Sequence, residues 1–251
     1  MSIIELPPLS IVVILGSGPS APRLRSWQKP ANARLVAINN AWRVRPDWDH
    51  LVHAGDFPAT RMPDIVAPGQ GVHSHESYVP AQNSYGGFVY GGGTMAFTAG
   101  YWALAALKPD ILAYYACDMT YSGNVTHFYG QGTADPLRPD VTLQSLEAKS
   151  IRLMALAARQ GCACVNLSTE AQSRLLFPRA GLAEIARHPP QISLDSEAVE
   201  AALTEEARLG YMIEDGEYWH HTDRFDAGAL SAIDDLWLSA CGAPGRERLF
   251  A

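Results

Sequence analysis

The chain has 251 residues, of which 47% are hydrophobic and 18% are charged, so it has the composition of a globular protein with an ample core. This length fits one large α/β domain, or one domain with a helical appendix. The formal net charge of -7 argues against non-specific nucleic-acid binding, because contacts to phosphates need clustered Lys and Arg.

The cysteines and the apolar segments indicate the compartment. The four cysteines include no CxxC pair, which favours core thiols in a reducing compartment over a zinc site. The apolar run at 11–15 lacks a basic segment before it and is far shorter than the ~20 residues that a spanning helix needs. We therefore expect a cytoplasmic protein without a membrane span.

Short apolar runs alternate with helix-like segments up to about residue 187. Continuous apolar runs are typical of parallel strands that are buried on both faces. They predict strands at 11–15, 35–38, 51–54, 111–116 and 162–167. Helices are predicted at 94–107, 145–160, 196–209 and 226–240, while 57–92 is rich in Pro, Gly and Ser and is predicted to form long loops with short strands.

This alternation predicts an α/β fold with a Rossmann-like, doubly wound, mostly parallel sheet. The composition changes at Pro189-Pro190. We therefore expect a nucleotide-binding or catalytic domain at 1–188 and a small helical C-terminal extension or lid at 189–251.

The first strand is followed directly by the motif Gly16-Ser17-Gly18-Pro19-Ser20-Ala21, which matches G-x-G-x-x-A in the expected context. Glycine lets the backbone approach a phosphate, and the N-terminus of a following helix supplies unpaired N–H donors. Pro19 suits a first helical turn, and Ser17 or Ser20 can add a hydroxyl donor. The motif predicts a phosphate site, although a tight strand-to-helix turn without a ligand remains the alternative.

The ends of the second and third strands carry polar residues that bear on the ligand. Dinucleotide enzymes end the second strand with Asp or Glu, which holds the ribose hydroxyls. Here it ends in Asn39-Asn40, so NAD is only a minor alternative. Asp56 follows the third strand and is a candidate site residue or a loop cap.

A polar, aromatic loop follows the strand at 111–116. It begins with Asp118 and Tyr121 and continues with His127 and Tyr129, at the edge where open α/β sheets bind ligands. A histidine and two tyrosines can supply a general base and neutral donors for a departing phosphate. For each ring, packing is the competing interpretation.

In order and spacing, these segments resemble the bacterial sialyltransferases of the lipooligosaccharide type and related phage-borne Rossmann-like proteins. The resemblance spans about residues 11–170 and rests on Gly16-Ser17-Gly18-Pro19-Ser20, Asn39-Asn40, Gly92-Gly93-Thr94, Asp118-x-x-Tyr121 and His127-Phe128-Tyr129-Gly130. It implies an inverting glycosyltransferase that uses a CMP-activated sugar and requires no metal.

By the same resemblance, each motif has an expected role. His127 would deprotonate the acceptor hydroxyl, and Tyr121 and Tyr129 would donate to the leaving phosphate, with Asp118 as a further catalytic residue. The glycine loop would hold the nucleotide, together with Asn39, Asn40, Gly93 and Thr94. Asp56 joins the nucleotide-binding candidates by its position after the third strand. The expected partners are a nucleotide-sugar and a small-molecule or glycan acceptor, and a homo-oligomer stays open.

Two other functions remain open. The glycine loop and the strand-end aspartate are also similar to the archaeal-type hydroxymethylpterin pyrophosphokinase-like family, which would imply ATP and Mg²⁺ on Asp56 and Asp118. The core could instead be a non-catalytic nucleotide-binding or phage-assembly module. Such a module would bind nucleotide without consuming an activated sugar.

Overall fold

The computed structural model describes residues 9–121, 125–130, 139–185 and 192–242. Six parallel strands in these residues form one sheet. The strands are β1 (Ile11–Leu15), β2 (Ala33–Ile38), β3 (His50–Val52), β4 (Gly71–His73), β5 (Ile111–Tyr115) and β6 (Ala163–Asn166). The predicted boundary between 188 and 189 lies outside the described residues, so the division into two parts stays a prediction.

The strand order is β4-β3-β2-β1-β5-β6, with β1 between β2 and β5. From β1 the chain runs outward to β4 and then returns to the other side of β1 for β5 and β6, so the doubly wound, Rossmann-like α/β prediction is confirmed. Leu15, the last residue of β1, is level with Ala37 and Tyr115. The loops that follow these strands therefore meet at one edge, which we call the carboxyl edge.

Six α-helices are described. They are α1 (His75–Asn83), α2 (Gly87–Gly91), α3 (Met95–Leu107), α4 (Leu146–Ala158), α5 (Ser196–Leu209) and α6 (Ala227–Ala240). The helices predicted at 94–107, 145–160, 196–209 and 226–240 are confirmed to within two residues at each end. The prediction of loops throughout 57–92 is wrong for α1 and α2, which carry an internal Pro80 and glycine ends that resemble loop signals.

The two faces of the sheet are covered differently. The face that bears Val12 and Ile14 packs against the α-helices. The opposite face, with Ile11, Val13 and Leu15, packs against 3₁₀ helices, among them Ala21–Ser26 and Asn39–Val44. Side chains alternate between the faces of a strand, so each apolar run fills both cores.

The C-terminal helices continue the α-helical layer. Residues of α5 and α6 share one hydrophobic core with α3 and α4. Two buried ion pairs join α4 to these helices, from Lys149 Nζ to Asp234 Oδ1 at 2.8 Å and from Arg152 to Glu206 at 2.7 Å. Within the described part of the chain, no helix has both the length and the apolar character to cross a membrane.

Candidate functional site

Residues 16–20, which we call the serine loop, connect β1 to the 3₁₀ helix Ala21–Ser26. The N–H of Gly16 donates to the carbonyl of Tyr115 at 2.9 Å, and that of Gly18 donates to Ala116 at 2.9 Å. An ideal Cβ at Gly16 would lie 2.3 Å from the Ala116 carbonyl oxygen. Glycine is thus needed for close approach to the segment after β5, and both glycine amides are engaged there.

The serines carry the donors that remain in this loop. The main-chain N–H groups and the hydroxyls of Ser17 and Ser20 make no hydrogen bond with any described residue. Ser20 caps the 3₁₀ helix only by position, because its hydroxyl does not accept from the following amides. Four N–H and O–H donors are therefore available at the carboxyl edge, and a phosphate is the ligand that such a group of donors suits.

Asn39 and Asn40 lie beside the serine loop, after β2. Asn39 has a φ of 48°, and its Oδ1 accepts from the N–H of Ala54 at 2.9 Å, which joins the ends of β2 and β3. Asn40 is 4% exposed, and its side-chain Oδ1 is buried and makes no hydrogen bond with the described residues. A buried amide oxygen without a partner costs about 1–3 kcal/mol, which a ligand group that donates a hydrogen bond would relieve. Asn39 is thus structural, while Asn40 is available for binding.

The backbone after β5 is strained. Five non-glycine residues in the described chain have a positive φ, and three of them are Ala116, Met119 and Tyr121. The left-handed region costs roughly 1–3 kcal/mol for each such residue, and it is enriched at sites where geometry serves function. The strain supports the carboxyl edge at β1 and β5 as the functional edge.

Asp118 lies in this strained segment. Its Oδ2 accepts from the hydroxyl of Ser168, in the loop after β6, at 2.8 Å. Its Oδ1 is buried and has no hydrogen-bond partner among the described residues. The carboxylate is thus held in position through one oxygen, while the other can accept from a hydroxyl or amide of a ligand.

His127 stands between two tyrosines. Its ring centroid is 5.5 Å from that of Tyr121 and 5.1 Å from that of Tyr129, and its Nδ1 is 2.9 Å from the hydroxyl oxygen of Thr126. The imidazole is 6% exposed, and burial lowers the pKa of His127 below its usual 6.5. The ring is therefore neutral at pH 7, which is the protonation state that a general base requires.

A main-chain hydrogen bond fastens this histidine to the serine loop. Residues 127–130 form a tight turn in which His127 and Gly130 exchange main-chain hydrogen bonds of 2.9 and 3.0 Å. The next amide, that of Phe128, donates to the carbonyl of Ser17 at 3.0 Å. The candidate base and the candidate phosphate donors therefore lie on segments that touch.

Gly93 and Thr94 begin α3 near the same edge. The N–H of Gly93 donates to the hydroxyl of Thr142 at 3.0 Å, and an ideal Cβ there would lie 2.0 Å from the phenol oxygen of Tyr218. Thr94 is the N-cap of α3, and its hydroxyl lies 4.0 Å from the sulfur of Met119. Gly93 is thus placed by a hydrogen bond and by close packing, and Thr94 links α3 to the strained segment.

Asp56 is not brought to this cluster. It follows β3, is exposed, and is three strand positions from Asp118 in the order β3-β2-β1-β5. Strands are spaced by about 4.8 Å, so the two strand ends are roughly 14 Å apart. No group of three or more His, Cys, Asp or Glu side chains in the described ranges is arranged to hold a metal ion.

Cys117, which faces Gly16, is a poor nucleophile because burial raises the pKa of its thiol.

Three further polar residues at this edge were not among the predicted site residues. Ser168 holds Asp118, Thr126 contacts His127, and Thr142 receives the amide of Gly93. Ser168 and Thr142 are far along the chain from Asp118 and Gly93, the residues that they contact, so no local motif predicts these contacts. Thr126 adjoins His127, so its contact with that ring could have been inferred from the local sequence.

A comparison of the chain with protein-family models, with curated proteins and with solved structures finds no match.

Proposed function

We propose that the protein is an inverting glycosyltransferase that takes a sugar from a nucleotide-activated donor, with CMP as the expected nucleotide. The hydrogen bond from Phe128 to the carbonyl of Ser17 carries the proposal. It joins a neutral, buried histidine to a loop with four donors that make no hydrogen bond with the described residues, so one site offers both a base and a phosphate cradle. Transfer of a group away from a phosphate needs these two parts side by side.

His127 acts as the base in this mechanism. When its Nδ1–H donates to the hydroxyl of Thr126, Nε2 keeps its lone pair and takes the proton of the acceptor hydroxyl. The acceptor oxygen forms a bond to the anomeric carbon of the donor sugar. The bond from that carbon to the phosphate oxygen breaks, and its electron pair leaves with the nucleotide.

The neighbouring groups bind the donor. Ser17 and Ser20 donate to the phosphate, and the phenols of Tyr121 and Tyr129, whose rings flank His127, donate to the oxygen that departs. The Oδ1 atoms of Asn40 and Asp118, which have no hydrogen-bond partner among the described residues, accept from hydroxyl or amino groups of the ribose or base. A cytoplasmic location belongs to the same proposal and is supported by four free cysteine thiols.

A thermal-shift panel of CMP, CDP, UDP, GDP, NAD and ATP with Mg²⁺ tests the proposal. A ligand at a hundred times its dissociation constant adds about 2.7 kcal/mol, or roughly 5–10 °C for a chain of this size. We expect CMP to stabilise the protein without added metal, and a Ser17→Ala/Ser20→Ala variant, which keeps only the two main-chain donors, to be stabilised clearly less. Stabilisation that requires ATP and Mg²⁺ together would favour a pyrophosphokinase-like transfer instead, and no response to any nucleotide would exclude the proposed site.

A further inference from the structure

Arg23 lies three residues after Ser20, on the 3₁₀ helix Ala21–Ser26. Its main-chain N–H donates to the carbonyl of Ser20 at 3.0 Å, so the residue is attached to the serine loop. The donors of that loop are neutral N–H and O–H groups. A phosphate that gains charge as it leaves is held better when a cation is added to such donors.

The guanidinium of Arg23 extends over the carboxyl edge toward β6. Its Nη1 lies 3.4 Å from the hydroxyl of Thr169 and 3.6 Å from a carboxylate oxygen of Glu170. The loop that carries these residues is tied to Asp118, because Ser168 donates to Asp118 at 2.8 Å and accepts from the N–H of Glu170 at 3.1 Å. Arg23 therefore spans from the serine loop to the loop that positions Asp118.

An electrostatic effect on Tyr115, the last residue of β5, places these charges together. Burial raises the pKa of the Tyr115 phenol, the positive charge of Arg23 opposes the rise, and the charges of Glu170 and Asp118 add to it. Tyr115 also accepts the N–H of Gly16 through its carbonyl. The positive charge of Arg23 thus acts at the junction of β1 and β5, where the serine loop begins.

The contacts of Arg23 are weak compared with those of the structural arginines. Arg45 makes two bonds of 2.6 and 2.7 Å to Asp47 and two more to main-chain carbonyls. Arg152 is buried and bonds to Glu206 and Tyr101 at 2.7–2.8 Å.

The side chain of Arg23, in contrast, is 68% exposed, and its partner Glu170 is 47% exposed. Exposed pairs at such distances contribute little to stability, so the guanidinium is free to exchange partners.

We propose that Arg23 binds the phosphate of the nucleotide and that Glu170 is the partner which it leaves when the nucleotide enters. This rests on the proposed function and adds a specificity determinant to it, namely a preference for nucleotides over nucleosides. Glu170 competes with the ligand for one guanidinium. Removal of the Arg23 charge should therefore lower the affinity for the nucleotide, and removal of the Glu170 charge should raise it. If the pair were merely structural, both changes would shift the affinity in the same direction.

Isothermal titration with CMP and with cytidine tests this in the full-length protein. We expect Arg23→Gln to weaken CMP binding about tenfold, as for loss of a charge-assisted bond to phosphate, and to leave cytidine binding unchanged. Glu170→Gln should tighten CMP binding about two- to fivefold. Arg25→Gln is the matched control, because it removes the same charge from the same 3₁₀ helix while Arg25 bonds to the carbonyl of Val44.

The outcomes separate this proposal from the proposed function. If the wild-type protein binds CMP and Arg23→Gln binds it equally well, or if Arg23→Gln and Arg25→Gln weaken it alike, Arg23 is not a phosphate ligand and the nucleotide site still stands. Equal loss of CMP and cytidine in Arg23→Gln would make its role structural and would also overturn the proposal. A wild-type protein that binds neither compound refutes the proposed function itself, and the role of Arg23 with it.

Discussion

The phenol oxygen of Tyr218 occupies the space that a side chain at position 93 would need, 2.0 Å from an ideal Cβ on Gly93. The same oxygen donates to Asp140 at 2.7 Å, and Asp140 in turn accepts from the hydroxyl of Thr142 at 2.7 Å. Thr142 receives the N–H of Gly93, which closes a ring of contacts between the start of α3 and the segment after α5. The close approach of Tyr218 therefore accounts for a glycine at position 93.

A double-mutant cycle tests that explanation. Gly93 does not have a positive φ, so Gly93→Ala should lose about 1–3 kcal/mol of unfolding free energy through overpacking against Tyr218. In a Tyr218→Leu background the same change should cost little, because the crowding ring end is gone. Urea unfolding of the four proteins gives the coupling free energy. Equal costs in both backgrounds would mean that Tyr218 is not what requires glycine.

The serine loop makes a similar prediction for stability. Gly16→Ala should cost about 1–3 kcal/mol or prevent folding, because the new Cβ meets the carbonyl oxygen of Ala116 at 2.3 Å and backbone cannot move aside cheaply. Gly55→Ala is the control, because the nearest atom to its ideal Cβ is at 4.0 Å. We expect Gly55→Ala to change the unfolding free energy by less than about 1 kcal/mol. Similar melting temperatures for the two variants would contradict the packing described for Gly16.

The fold was largely predictable from the sequence, and the reason is physical. Strands buried on both faces must be apolar at every position, so runs such as Ile11–Leu15 are visible without knowledge of their neighbours. Helices α1 and α2 were missed because Pro80 and the glycines at 86, 87, 91 and 92 are loop signals that tertiary packing overrides. The helix expected after the serine loop is instead a 3₁₀ helix of six residues.

The candidate site was predictable only in part. Its strand-end segments follow from topology, because the carboxyl ends of parallel strands meet at one edge. The sequence could not tell that the amides of Gly16 and Gly18 bond to the segment after β5, or that Asn39 bonds to Ala54. Such contacts depend on residues that are far apart in the chain. Gly16, Gly18 and Asn39, for which a binding role was expected, therefore have structural contacts, and the binding role of this edge stays a prediction.

The buried ion pair between Lys149 and Asp234 predicts how the C-terminal helices are held. Both side chains are 1% exposed and their charged atoms are 2.8 Å apart. Asp234→Ala should cost about 3–5 kcal/mol, because it leaves a buried ammonium without its partner charge. Asp235→Ala, at the exposed neighbouring position, is the control and should be nearly neutral. A small effect of Asp234→Ala on urea unfolding would show that the pair does not anchor α6 to α4.

Two histidines on neighbouring strands predict a pH dependence of stability. His50 Nδ1 and His73 Nε2 are 3.1 Å apart, and both rings lie against Trp102. Burial lowers the pKa of both, and together with the charges of His50 and His53 it lowers the pKa of His73 to about 4. Asp49 opposes the shift at His50, and Arg34 and Lys29 add to it.

Whether stability rises or falls with pH follows from proton binding in the folded and unfolded states. The unfolded histidines take up protons below pH 6.5, while His73 in the folded protein resists them until about pH 4, so stability falls as the pH drops through this interval. We expect a loss on the order of 1–2 kcal/mol, since half-buried rings are partly screened by solvent. His73→Asn should flatten the dependence, whereas His220→Asn, at an exposed position, should not. Parallel curves for wild type and His73→Asn would contradict this assignment.

The most direct test of the account is the release of CMP from a CMP-activated sugar by wild type and by His127→Ala, with the CMP dissociation constant measured for both. General-base catalysis contributes about 10²–10⁴-fold, so His127→Ala should lose at least a hundredfold in turnover while its affinity for CMP stays within about twofold of wild type. His75→Ala, at an exposed histidine, should keep full turnover. Wild-type turnover in His127→Ala would contradict the central claim that this histidine is the base beside the serine loop.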